Sequence, residues 1–211
     1  MILEVNGISK SFKENKVLEN VTFKCKSGSV VGIIGYNGCG KTVLFKCICG
    51  FLKVDQGEII LDEKRLKKDF DILPHTGILI EEPAFLKNCS GIKNLRLLYM
   101  INHKFDSGHI RNVMAKVGLD AGNLKKVGKY SLGMRQRLAI AQAIMENPEI
   151  LILDEPMNGL DKQGVADMRK LLTDLKNENK IILLASHNKE DIDILCDTVY
   201  EIDQGRILQI K

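Results

Sequence analysis

The sequence predicts an α/β fold with a helical segment inserted in its centre, and three observations predict it. Val30-Val31-Gly32-Ile33-Ile34 is a continuous apolar run that leads through a glycine-rich turn into a helical pattern, as a strand buried on both faces would. Strand signals vanish between about 82 and 146. From 149 onward strand and helix patterns alternate again, which marks one layered core interrupted once.

Taken in order, Ile2-Leu3-Glu4-Val5 and Val17-Leu18-Glu19-Asn20-Val21-Thr22-Phe23 read as strands opening an N-terminal β region. A helix is expected from Lys41, with Gly50 as its stop. Apolar residues at helical spacing follow over 91–102, 107–117 and 132–146, with Asp106 and Ser131 placed to cap the second and third. Ile150-Leu151-Ile152-Leu153, Ile181-Ile182-Leu183-Leu184 and Thr198-Val199-Tyr200-Glu201-Ile202 are the later strands, with a helix over 161–178. The 211 residues then form a single domain with its helical subdomain at about 82–146.

Composition narrows the function. Lys+Arg 31 against Asp+Glu 27 leaves +4, and aromatics are only 5%. That offers neither a basic patch nor stacking platforms, so no nucleic-acid partner is expected. No apolar run reaches the ~18 residues that span a bilayer, and Met1-Ile2-Leu3-Glu4 does not open a signal peptide. The six cysteines form no Cys-x-x-Cys; they read as reduced, small hydrophobes of a cytoplasmic protein.

Two segments carry chemistry. Gly35-Tyr36-Asn37-Gly38-Cys39-Gly40-Lys41-Thr42 satisfies G-x-x-x-x-G-K-[ST] between a buried strand and a helix. Glycines let backbone N–H groups turn inward on phosphate oxygens, and the helix start adds its positive dipole end. Lys41 supplies a cation for the β- and γ-phosphates, and the Thr42 hydroxyl is a ligand for Mg2+. The expected ligand is a nucleoside triphosphate with Mg2+. Asp154 and Glu155 then close an apolar strand. At the carboxyl end of a parallel strand, Asp154 is placed for the Mg2+ shell and Glu155 for polarising a water.

Further residues give the chain a family likeness along nearly its whole length. Tyr130-Ser131-Leu132-Gly133-Met134-Arg135-Gln136-Arg137 resembles the signature of the ATP-binding cassette (ABC) family, LSGGQ-x-Q-R. Asn158-Gly159-Leu160-Asp161 resembles the loop that links its two protomers. Ser186-His187 resembles its switch histidine, and Phe12 its adenine-stacking aromatic. Alone, Phe12 reads equally as a core aromatic, Ser131 as an N-cap and His187 as a structural histidine.

The resemblance implies a P-loop ABC ATPase core with an N-terminal β subdomain and an inserted α-helical subdomain. It implies that Glu155 is the general base and that His187 orients the γ-phosphate. Ser131, Gly133 and Asp161 would meet the nucleotide of a partner protomer. Two such chains, as a homodimer or heterodimer, would close head-to-tail on ATP and drive a separate transmembrane permease from the inner face of the membrane.

Departures from the pattern are informative. Leu132 and Met134 replace a Gly and a Gln, and Val43 replaces a hydroxyl residue but keeps its backbone N–H for phosphate. In Gly77-Ile78-Leu79-Ile80-Glu81-Glu82-Pro83, Glu81 takes the place of the family's Gln. A carboxylate there becomes a candidate Mg2+ ligand, or else an ordinary surface acid. Together with the altered signature it is similar to the branch handling bacitracin-type and lantibiotic peptides. The alternatives are a nucleotide-dependent dimerising clamp, or a soluble ABC ATPase not coupled to transport.

Overall fold

The computed structural model describes residues 1–104 and 106–211. The chain opens with β1 (Ile2–Phe12), β2 (Asn15–Lys26), β3 (Ser29–Ile34) and α1 (Lys41–Cys49). It continues with β4 (Gln56–Leu61), β5 (Lys64–Arg65) and β6 (Thr76–Leu79). Helices α2 (Gly91–Tyr99), α3 (Ser107–Lys116) and α4 (Leu132–Ile144) follow. The last part alternates β7 (Ile150–Asp154), α5 (Lys162–Asn177), β8 (Ile181–Ala185), α6 (Lys189–Leu195), β9 (Thr198–Asp203) and β10 (Arg206–Gln209).

Two sheets result, ordered β2-β1-β4-β5 and β10-β9-β3-β8-β7-β6. The first is antiparallel. In the second, every pairing from β9 to β6 is parallel. The expected α/β core, N-terminal β portion and helical insertion are all present. Side-chain alternation explains the unbroken apolar strands. Leu151, Leu153, Ile182 and Leu184 face a core that includes Leu172 of α5 and Ile140 of α4. Their neighbours Ile150, Ile152, Ile181 and Leu183 face Phe45 of α1 and Leu3 and Val21 of the antiparallel sheet. Both faces of the central sheet are covered, so no polar alternation survives in its strands.

Local signals act as expected. Gly50 ends α1 with φ 85°. Asp106 and Ser131 accept from the N–H groups of His109 and Met134 and cap α3 and α4. All six cysteines are free. Burial pushes the thiols of Cys47, Cys49 and Cys196 up to about 11, 12 and 12, so they pack as neutral side chains.

What the topology achieves is convergence. Adjacent parallel strands β3, β8, β7 and β6 deliver the phosphate loop, His187, the Asp154-Glu155 pair and Glu81 to one edge of the sheet. Ala185, the last residue of β8, lies in register with both Ile33 and Asp154. Ligands of open α/β sheets bind at that carboxyl edge.

Candidate functional site

A cleft of about 650 Å3 opens at this edge. Phe12, Asn37, Gly38, Gly40, Lys41, Thr42, Val43, Glu81, Asp154 and Glu155 all line it. The sequence reading brought these residues forward from four separate segments. Phe12 closes β1 with 46% of its surface exposed, so it is not committed to the core, and the Lys10 ammonium lies 5.5 Å from its ring centroid.

The phosphate loop has the conformation that its glycines permit. Gly38 and Gly40 sit at φ 85° and 112°, in the left-handed region that residues with a Cβ adopt only at a cost. A Cβ at Gly38 would meet nothing within 4 Å, so the glycine leaves an open cradle. Lys41 is only 7% exposed. Its ammonium is folded back, donating to the carbonyls of Gly35 (2.7 Å) and Tyr36 (3.1 Å). Phosphate oxygens would offer that cation stronger, charge-assisted acceptors than these neutral carbonyls.

Thr42 donates its hydroxyl to Asp154 Oδ2 at 2.7 Å. Two hard oxygen donors therefore stand together beside the cradle. A Mg2+ ion binds with one or two such protein ligands and completes its shell from phosphates and water, so the residues fit it.

Glu155 and His187 form the other half of the site. The glutamate lies at φ 52°, a conformation costing a non-glycine residue of order 1–3 kcal/mol. Its N–H donates to the Ala185 carbonyl at 3.0 Å, and its Oε2 lies 2.8 Å from His187 Nδ1. The Glu155 side chain is 20% exposed and the His187 ring 65% exposed. A carboxylate held by an imidazole at the mouth of a phosphate cleft can orient a water and take its proton.

Glu81 also has positive φ, 61°. Its carboxylate pairs with the Lys46 ammonium of α1 at 2.6 Å. With the carboxylate 64% exposed, this is a surface pair of small net worth.

The remaining predicted residues lie elsewhere. Tyr36 and His187 line a neighbouring depression together with Gly35, and Cys39 is buried beneath the loop. Ser131 and Asp161 cap α4 and α5. Gly133 packs so closely that a Cβ would come 2.9 Å from the Gly159 carbonyl. None of the last three lines the chain's own cleft. Val17, Leu79, Glu82, Leu132, Gln136 and Asn158 also line the cleft without having been given a site role, although Gln136 and Asn158 both stand inside quoted motifs.

The family described as ABC transporter matches residues 18–158. The chain belongs to the ABC transporter family. Among its relatives, the uncharacterized ABC transporter ATP-binding protein YybJ of Bacillus subtilis is 38% identical, over 98% of this chain and 94% of that protein. The bacitracin transport ATP-binding protein BcrA of Bacillus licheniformis is 37% identical, over 99% and 69%. The lantibiotic transport ATP-binding protein SrtF of Streptococcus pyogenes is 33% identical, over 100% and 90%. The dimeric structure of the bacterial cassette MJ0796 superposes with a TM-score of 0.88, covering 99% of this chain and 98% of that one. At 20% identity it attests the fold. This ABC chain is thus an ATP-binding, Mg2+-dependent ATPase of a transporter, homologous to bacitracin and lantibiotic transport ATPases. No helix among its described residues is long and apolar enough to cross a membrane.

Proposed function

We propose that this ABC ATPase powers a separate membrane permease in export of, or immunity to, a peptide antibiotic. The observation carrying the reading is the cleft that joins Lys41, the Thr42–Asp154 pair and Glu155, whose carboxylate is held by His187, in a chain similar to BcrA and SrtF along its length. The whole chain, 1–211, works as one ABC ATPase domain with its helical subdomain at about 82–146.

Phe12 stacks on adenine, and the N–H groups of 35–43 receive the phosphates. Lys41 leaves its loop carbonyls for the β- and γ-phosphates. Thr42 and Asp154 hold the metal ion, which neutralises charge on the phosphates when bound. Glu155 takes the proton of the attacking water, and His187 holds that carboxylate and contacts the γ-phosphate.

Ser131 and Gly133, at the exposed start of α4, and Asp161, at the start of α5, serve the nucleotide of a second ABC protomer. A head-to-tail dimer lets each chain complete the other's site. The partner is the same chain or a related one, and the permease holds the pair at the inner face of the membrane. Purifying the tagged chain from detergent-solubilised membranes tests the transport reading. A stoichiometric companion with several apolar spans is expected; recovery of the chain alone from intact membranes would contradict it.

Glu81 is the branch-specific part. Released from Lys46, its carboxylate adds a full charge to the Mg2+ surroundings, where a Gln would offer a neutral carbonyl. Glu81→Gln is therefore expected to keep ATP binding but to weaken its dependence on Mg2+. Titrating ATP with and without Mg2+ in both proteins measures this, and identical dependence would return Glu81 to a surface acid.

A further inference from the structure

We propose that Gln136 is a positioning residue. It holds the backbone of Glu155 in the turn that aims the carboxylate, and it ties that turn to the helix bearing Ser131 and Gly133. The proposal rests on reading Glu155 as the general base.

The Gln136 amide nitrogen donates to the carbonyl of Glu155 at 3.2 Å and to that of Pro156 at 3.0 Å. Those two carbonyls belong to the left-handed residue and to the proline that follows it. The Glu155 carbonyl accepts a second bond from the Asn158 N–H at 3.2 Å, and its N–H is tied to Ala185. Pro156 has no N–H to contribute, so the exit from the turn depends on acceptors being satisfied from outside. A strained backbone persists only where its surroundings over-determine it. Among the described residues, Gln136 of α4 is the side chain that restrains this backbone from another element.

The consequence concerns two sites at once. The start of α4 carries Ser131 and Gly133, which meet the partner's nucleotide in the dimer, while Gln136 in the same helix grips this chain's own base. A helix moves as a rigid body over so short a distance, so docking of one nucleotide bears on the turn that aims the base at the other.

Two variants separate hydrogen bonding from packing. Gln136→Glu keeps the shape but sets acceptor oxygens against two carbonyls. Gln136→Met keeps the bulk without donors or charge. Steady-state phosphate release should fall about tenfold to a hundredfold in kcat, the cost of misplacing a catalytic group by a fraction of its reach. The Glu variant should be the slower of the two, and KM should stay within about threefold because the phosphate loop is untouched. Combined with Glu155→Gln, either variant should still dimerise on MgATP in gel filtration, since the nucleotide-binding groups remain.

A kcat within twofold of the parent chain in Gln136→Met, or a loss confined to KM, would overturn the positioning role. So would loss of the dimer in the double variants when Glu155→Gln alone forms it. If Glu155→Gln itself turns over like the parent chain, the base assignment falls instead, and the role of Gln136 falls with it. A thermal unfolding scan of each variant shows which arm carries the test: where Gln136→Glu unfolds early, the isosteric Met variant decides.

Discussion

Glu155→Gln is expected to bind MgATP as the parent chain does and to release phosphate about 10²–10⁴-fold more slowly, the usual cost of losing a general base. The side chain keeps its length, so the left-handed turn at φ 52° and the bond from its N–H to Ala185 remain. What disappears is the negative oxygen 2.8 Å from His187 Nδ1. The Gln amide cannot take a proton from water. Lys41, Thr42 and Asp154 are untouched, so nucleotide should accumulate unhydrolysed and hold the two protomers closed. Gel filtration with MgATP beside a phosphate-release assay reads both effects. Parental turnover would remove Glu155 from the mechanism.

Gly77→Ala is expected to have the largest effect on stability. Gly77 lies in β6 beneath α4, and a Cβ there would sit 1.9 Å from the Ala143 carbonyl oxygen and 2.8 Å from Pro148 Cγ. The obstacle is helix backbone rather than a flexible side-chain tip. The helix cannot shift freely, because its own Ile140 and Ala141 are fully buried. Overpacking of this kind costs about 3 kcal/mol, which lowers a urea midpoint by roughly 1–2 M at ordinary slopes. Separation of α4 from β6 should also loosen the segment leading to Glu81, so ATP binding should suffer at temperatures where the fold survives. An unchanged midpoint would mean that β6 and α4 part without cost.

These two residues mark the boundary of what was legible from the chain. The phosphate loop and the Asp154-Glu155 pair were readable because their chemistry is local: a few adjacent residues define both the shape and the ligand. Helix starts at Asp106 and Ser131 were readable for the same reason, since an N-cap spans only three residues. Strands β4, β5, β6 and β10 were not: β5, β6 and β10 span 2, 4 and 4 residues, and all four gain their stability from neighbours distant in sequence.

Helix α6 was hidden by its polar composition, KEDIDIL. It contains Asp191, which is 0% exposed and bonded to Arg169 of α5, so charge there did not signal surface. The site shows the same division. Lys41, Thr42 and Glu155 could be named from pattern. That Lys46 holds Glu81, or that Gln136 grips the Glu155 carbonyl, depends on which strand lies beneath which helix, and no local pattern records that.

The most direct test of the account is steady-state phosphate release by the purified chain, followed through chelation of Mg2+ and through Glu155→Gln. The account predicts ATP hydrolysis that is lost on adding a chelator, restored by Mg2+ and nearly absent in the variant. A parent chain that binds MgATP and dimerises, yet releases no phosphate above the buffer blank, would contradict it.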